Sequence, residues 1–380
     1  MSEEKLRVAI VTASLGVAGA EKQAFYIARA LAEAGIAVRV YNLGRGGEYA
    51  DALHSLGVQS RCFGWLPTVP LRLLLLIFAM RSFRPNVIQS VHAYTNIYSA
   101  LAARIFGAIS VGGLRSDVAS YLMDSGRFAR PLLRWPDAIA ANSNSACSDL
   151  KRSGLVNPRR VHLLPNAIDL DAYSTQRSSN DCTAIYVGRL MPAKRVDVFL
   201  RALAKARRVQ PAIKGIVAGY GTETAALERL AVELALSPDS VTFLGFREDI
   251  SSLMEQASMF VFCSESEGTP NVILEAMAAA LPIVTTPAGD AAEMVESAGA
   301  GVVVPFGDVD ATAAAILRLA HSPELRRRLG NSGRTFVAQT RATSELAPQL
   351  IEIYREVANT CVQGRRGDFV RRMPQLSERL

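Results

Sequence analysis

The sequence has few cysteines, and the five present (Cys62, Cys147, Cys182, Cys263 and Cys361) lie far apart with no C-x-x-C pair. That spacing argues against a disulfide framework or a zinc site and fits reduced thiols in a cytosolic protein. Long apolar runs are also missing. The one stretch that needs a membrane check, Leu71 to Met80, falls well short of the roughly 20 residues a spanning helix requires. There is no RNP-like aromatic pattern, no basic zipper and no repeat of solenoid period. Met1-Ser-Glu-Glu-Lys is acidic and leads straight into a strand, so a signal peptide is not expected. Charged residues make up only 20% against 49% hydrophobic, the profile of an ordinary globular chain. Lys and Arg total 42 against 35 Asp and Glu, a net charge of +7 that is scattered rather than gathered in a stripe. Such a surplus fits contact with phosphates or an anionic membrane surface better than with nucleic acid.

What is present is alternation. In the first half, short β-rich runs are expected at Arg7 to Thr12, Ala37 to Tyr41, Asn86 to Ser90, Ile109 to Gly112, Ala138 to Ala141 and Val161 to Leu164. Helical patterns separate them at Ala20 to Ala34, Val69 to Ser82 and Asn96 to Ile105. The pattern restarts at Ala184 to Val187, Gly215 to Ala218, Val241 to Leu244, Met259 to Cys263, Ile283 to Thr286 and Val302 to Val304. Strands alternating with helices imply parallel sheets with crossover helices on both faces. At 380 residues the chain has room for two such domains, each with its own core. The expected division is an N-terminal domain at 1–167, a linker at 168–181, a second domain at 182–340, a helix at 341–360 packing back towards the first domain, and a basic tail at 361–380. Two doubly wound domains facing across a cleft would present strand C-terminal ends to a ligand.

Several constellations carry chemistry. After the first strand, Gly16 and Gly19 open a helix in Ala18-Gly19-Ala20-Glu21; glycines there let backbone approach a ligand, while Glu21 favours the positive end of its own helix. Val187-Gly188-Arg189-Leu190-Met-Pro-Ala-Lys194 places a planar fork and a point charge in a strand-to-helix loop, as a diphosphate requires; a solvated loop with two surface cations is the plainer alternative. Glu267-Gly268-Thr269-Pro270-Asn271-Val272 then leads into an apolar helix carrying Glu275, with Thr269 expected as N-cap and Pro270 in the first turn. The free amides of a helix start favour phosphate, and a carboxylate accepts from sugar hydroxyls. An exposed loop acid and a surface acid are the alternatives for the two glutamates, though an acid among Ile273, Leu274 and Met277 needs a partner. His92 follows the strand ending at Ser90, where a strand-end cap is the alternative to a ligand contact.

Glu267 and Glu275, with seven residues between them, resemble the E-x7-E signature of retaining glycosyltransferases of family 4, which have the GT-B fold. G-R-L-x-x-x-K from Gly188 to Lys194 is similar to the same family's second-domain loop, with Arg195 where members commonly have Gly. Ala18 to Glu21 matches the family's G-G-A-E in all but its first position. Leu164-Pro-Asn-Ala-Ile-Asp169 resembles its P-N-G-V-D hinge, with Ala167 replacing Gly. His92 sits one residue from the family's sugar-contacting histidine, and Gln89 stands at the first position of its H-x-H.

The resemblance implies metal-independent transfer of a sugar, with retention, from a UDP- or GDP-linked donor to a glycan or lipid-linked acceptor in polysaccharide biosynthesis. It places Glu275 on the ribose, and Glu267 and His92 on the transferred sugar. Arg189 and Lys194 fall on the diphosphate, and Gly16, Gly19, Gly188, Gly268, Thr269, Pro270, Asn271 and Val272 against the donor. No cofactor, bound metal or nucleic acid is expected. Asp169-Leu-Asp171 belongs to the hinge and Asp308-Val-Asp310 opens a helix, so neither D-x-D is expected to hold metal. Gly219-Tyr-Gly221 lacks the third glycine of a dinucleotide site.

Arg115 is either an acceptor or phosphate contact or a surface cation. Base choice is expected to depend on the loop from Phe243 to Arg247. Leu71 to Met80 is either a buried helix or an amphipathic anchor on the cytoplasmic leaflet, with Arg72, Arg81 and Arg84 near headgroups. A sugar-nucleotide epimerase and a non-catalytic nucleotide-sugar or nucleic-acid binder are the competing functions.

Overall fold

The computed structural model describes residues 6–64, 68–126, 129–176 and 182–363. Ile168–Ala342 forms one unit, and the remaining described residues form the other.

The first unit is built on strands β1 (Arg7–Thr12), β2 (Ala37–Asn42), β3 (Gln59–Cys62), β4 (Val87–Ser90), β5 (Ile109–Leu114), β6 (Ala138–Ala141) and β7 (Val161–Leu163). They form a parallel sheet in the order β3-β2-β1-β4-β5-β6-β7. The central strands are buried on both faces, as a parallel sheet covered by helices demands. The helix Gly19–Glu33 buries Ala24, Ile27, Ala28 and Leu31 on one side of this sheet.

The last helix, Leu346–Gln363, belongs to this unit and packs into the same core through Leu346, Leu350, Ile353, Tyr354 and Val357. It begins later than the expected Arg341, because Pro323–Thr340 is itself a helix that Arg341 closes. It also runs past 360; of the expected basic tail, 364–380 lies outside the described residues.

The second unit contains β8 (Thr183–Val187), β9 (Lys214–Ala218), β10 (Val241–Gly245), β11 (Met259–Phe262), β12 (Ile283–Thr285) and β13 (Gly301–Val303), again parallel, in the order β10-β9-β8-β11-β12-β13. Its two cores cover opposite sheet faces, one lined by the helices Val196–Val209 and Val309–His321 and the other by Asn271–Ala278. Of the expected linker, Ile168 and Tyr173 are buried in this unit, with Ile168 bridged to Ala342, and 177–181 lies outside the described residues.

In each sheet the strand order reverses once, between β1 and β4 and between β8 and β11. Loops leaving adjacent strands at that point run to opposite faces and leave a crevice for ligand. The loops carrying Gly16 and His92 leave β1 and β4, and those carrying Lys194 and Glu267 leave β8 and β11.

The buried Tyr354 hydroxyl donates to Gln89 Oε1 on β4, so the last helix is tied to a strand by a hydrogen bond as well as by packing. Tyr354→Phe leaves that buried acceptor unpaired and is expected to lower stability by about 1–3 kcal/mol. The urea unfolding midpoint of the first unit is the measurement that checks it.

Candidate functional site

In the second unit two of the predicted residues, Lys194 and Glu267, come together. The loop after β8 turns through a short 3-10 segment, Pro192–Lys194, and the loop after β11 lies against it. Glu265 N donates to Ala193 O at 2.9 Å, and Ser264 Oγ lies 3.2 Å from the same carbonyl. The Lys194 ammonium donates to Glu267 Oε1, which Ser264 Oγ also approaches at 3.3 Å. Glu267 is therefore half-buried and paired, not a free loop acid. Arg189 is exposed beside them; its carbonyl accepts from the Tyr186 hydroxyl at 3.3 Å.

Arg195, the departure from the family's glycine, adopts φ +47° and ψ 46°. A bulky residue in that left-handed region carries strain. Here its guanidinium is held by Asp197 (3.1 Å) and Glu265, which pins the β8 loop to the β11 loop. The strained residue thereby helps to set the spacing of the two loops.

The helix carrying Glu275 runs Asn271–Ala278, with Pro270 at the N-cap. This corrects the expected Thr269 cap. Proline has already fixed the extended-to-helix transition, and no side chain caps the helix. Thr269 is buried, and its hydroxyl lies 3.4 Å from Asp290 Oδ2. Asp290 N in turn donates to Gly268 O at 3.1 Å. Glu275 is buried on the helix, while Asn271 and Val272 stay half-buried at its start. Of the two D-x-D pairs, Asp308 is an N-cap, accepting from Ala311 N at 2.8 Å, and Asp169 turns back on Asp171 N at 3.3 Å.

The first unit holds a separate cluster. Gly16 N donates to Ser14 Oγ at 3.1 Å, and Gly19 starts its helix. His92 Nδ1 accepts from Ala13 N at 3.3 Å and lies 3.4 Å from Thr12 Oγ1. Its Nε2 is 3.6 Å from Glu21 Oε1. Arg115 is half-buried, and its guanidinium donates to Asn166 Oδ1 at 2.6 Å, so it is not a surface cation. Burial raises the Glu21 carboxyl, but the polar contact and charge of His92, helped by Arg115, outweigh it and leave a net lowering. Desolvation draws Arg115 down to about 10, with Glu21 opposing it. Sequence spacing gave no sign of this Glu21–His92–Arg115 grouping, nor of Ser264 and Asp290 beneath the second site.

An alkaline loop beside a carboxylate-bearing helix start, in a parallel α/β unit, is the equipment of a nucleotide-sugar transferase. The family profile described as Glycosyl transferases group 1 matches residues 170–336, and the profile described as Glycosyltransferase Family 4 matches residues 17–172. Alpha-D-kanosaminyltransferase of Streptomyces kanamyceticus is 26% identical over 310 residues, 73% of this chain and 80% of that protein. The GDP-mannose-dependent alpha-mannosyltransferase of Mycobacterium tuberculosis is 26% identical over 282 residues, covering 68% and 71%. Other curated relatives are matched over 26% to 60% of their own length. Among solved structures, HepE of Anabaena in complex with UDP superposes with a TM-score of 0.79 at 21% identity, over 91% of this chain and 99% of that one. The chain belongs to glycosyltransferase family 4 and has the GT-B fold.

Gly289, at φ +57°, is a point of close approach in this site: a Cβ there would lie 2.0 Å from Gly268 O and 2.5 Å from Glu267 O. Gly289→Ala is expected to displace the Glu267 loop and cost about 1–3 kcal/mol in backbone strain. Thermal unfolding of the purified variant, read with its nucleotide affinity, checks this; both should fall together.

Proposed function

We propose that the enzyme moves a sugar from a UDP- or GDP-linked donor to a hydroxyl of a saccharide or lipid-linked saccharide, with retained anomeric configuration and without a metal ion. The observation that carries this reading is the meeting of Lys194, Glu267 and the Asn271 helix start on loops from β8 and β11. As the glycosidic bond breaks, negative charge grows on the leaving diphosphate, and stabilising that charge is the main catalytic task. Arg189, Lys194 and the helix start supply fixed positive potential for it.

Without donor, Lys194 is neutralised by Glu267. An arriving diphosphate competes for the ammonium and releases Glu267 to accept from a hydroxyl of the transferred sugar. Glu275 takes the ribose hydroxyls. Gly188, Gly268, Thr269, Pro270, Asn271 and Val272 line the donor in the second unit, and Gly16, Gly19 and His92 are the first unit's residues that the family resemblance gives to the donor. Front-face attack follows the family resemblance: the bond from C1 to the phosphate oxygen breaks, the acceptor oxygen bonds C1, and its proton passes to the departing phosphate. Support for a UDP or GDP donor comes from relatives, one named as GDP-mannose-dependent and one solved with UDP-glucose. These transferases do not favour the epimerase or nucleic-acid-binding alternatives.

Arg189→Ala is expected to reduce turnover about a hundredfold or more, with little change in melting temperature. Lys194→Ala is expected to reduce it as much while also lowering the melting temperature, because Glu267 loses its partner. Both variants turning over at the wild-type rate is the result that contradicts the assignment.

A peripheral position at the cytoplasmic face of a membrane suits a lipid-linked acceptor. The helix Val69–Met80 buries Leu76, Ala79 and Met80 but leaves an apolar face in solvent, with Leu74 63% and Phe78 69% exposed. It is thus not the wholly buried helix of the plainer reading. Leu71 and Leu75 extend that face, and Arg81 and Arg84 are exposed just beyond it. No helix among the described residues is long and apolar enough to cross a membrane. Flotation with phosphatidylglycerol-containing vesicles at low salt should carry the wild type upward and leave the Leu74→Ser/Phe78→Ser variant behind. Absence of wild-type flotation removes the membrane assignment.

A further inference from the structure

His92 is already hydrogen-bonded through one ring nitrogen. Among the described residues, His92 Nδ1 accepts from Ala13 N at 3.3 Å. An acceptor at Nδ1 places the neutral ring's proton on Nε2. That nitrogen faces Glu21 Oε1 at 3.6 Å. One ring nitrogen is thus engaged by the backbone, and the other is turned towards the Glu21 carboxylate at a separation too long for a hydrogen bond.

Glu21 has the larger accepting capacity. A carboxylate offers about four lone-pair sites, and His92 approaches through one oxygen only. Its side chain is 12% exposed and that of His92 18%, so both keep an opening to solvent. It stands in the first turn of Gly19–Glu33, where the helix dipole favours negative charge, and His92 and Arg115 hold it ionised. Tyr94, 42% exposed and 6.0 Å from the His92 ring by centroid, gives the cluster an aromatic wall. A carboxylate acceptor beside an accessible aromatic ring, where the strand order reverses, suits a polyhydroxylated ring.

We propose that Glu21, rather than His92, is the residue of the first unit that accepts hydrogen bonds from the hydroxyls of a substrate sugar, and that His92 is a positioning residue holding Glu21 in place. The proposal rests on reading the chain as a sugar transferase and reverses the role that the family resemblance gives the histidine. Because His92 acts through Glu21, the two residues form one functional unit, and their deletions should not add.

The test is a double-mutant cycle of Glu21→Ala, His92→Ala and the pair, with Glu21→Asp as the conservative rescue. Release of nucleoside diphosphate is measured from UDP-glucose and from GDP-mannose, and affinity is measured for UDP and GDP alone. Glu21→Ala should lower kcat/KM by about tenfold to a hundredfold, the value of hydrogen bonds to a charged group, and leave free-nucleotide affinity unchanged. Glu21→Asp should recover part of the loss, and His92→Ala should cost less than Glu21→Ala and nothing further in the Glu21→Ala background. The proposal is overturned if His92→Ala keeps its full factor in that background, or if Glu21→Ala works like the wild type.

Nitrogen-15 NMR of the labelled histidines at pH 8.5 stands apart from the donor question. The His92 resonance, identified by its loss in His92→Ala, should show the Nε2–H tautomer and should shift in Glu21→Ala. An Nδ1–H tautomer, or a resonance indifferent to Glu21→Ala, overturns the positioning role even if no nucleotide sugar is turned over. Failure of the wild type with every nucleotide, alongside the expected NMR result, instead counts against the donor assignment.

Discussion

Where a parallel sheet reverses its strand order, the loops leaving two neighbouring strands must diverge, and everything functional in this chain depends on that constraint. It occurs once in each unit, at β1/β4 and at β8/β11. Loops elsewhere along a sheet edge are covered by the crossover helices beside them. At the reversal the backbone stands open, and a helix start, a glycine turn or a charged side chain can face a ligand. The first unit uses the position for Glu21 and His92, and the second for Lys194, Glu267 and the Asn271 helix start.

The second site is charge-balanced before any ligand arrives. Lys194 and Glu267 satisfy each other, and Arg195 is held by Asp197 and Glu265. An unpaired ammonium or carboxylate in a half-buried loop would be costly. The pairing keeps both charges in place, and in the proposed reaction they are redistributed between a diphosphate and a sugar hydroxyl. The first site follows the same rule, with Glu21 facing His92 and the charge of Arg115. Both sites are preorganised by opposite charges brought together from distant parts of the chain.

The fold was largely legible because buried parallel strands are apolar on both faces; Arg7–Thr12 and Ala138–Ala141 have the expected bounds. β3 was missed because Gln59-Ser-Arg-Cys62 is a mostly exposed edge strand, held by backbone pairing to β2 on one side. β5 runs on through Gly112 and Gly113 to Leu114, although glycines read as a strand end. A Cβ at Gly113 would lie 2.5 Å from Val91 O, so the glycine is there for close approach of the β4 chain. The second-domain motifs were readable because their residues are local in sequence. The Lys194–Glu267 pair spans 73 positions and the Thr12–His92 contact 80, and no periodicity reports such distances. The Thr269 cap was misplaced by one residue because a Pro at the boundary fits either N-cap or first turn.

The central claim is that the second unit holds a nucleoside diphosphate sugar, with Glu275 on its ribose. The most direct measurement is thermal stabilisation of the wild type and of Glu275→Ala by UDP-, GDP- and ADP-sugars and by the free diphosphates, without added metal. Stabilisation of the wild type by one nucleotide series, lost in Glu275→Ala, is the predicted result. Stabilisation by none of them, or equal stabilisation of both proteins, would contradict the account.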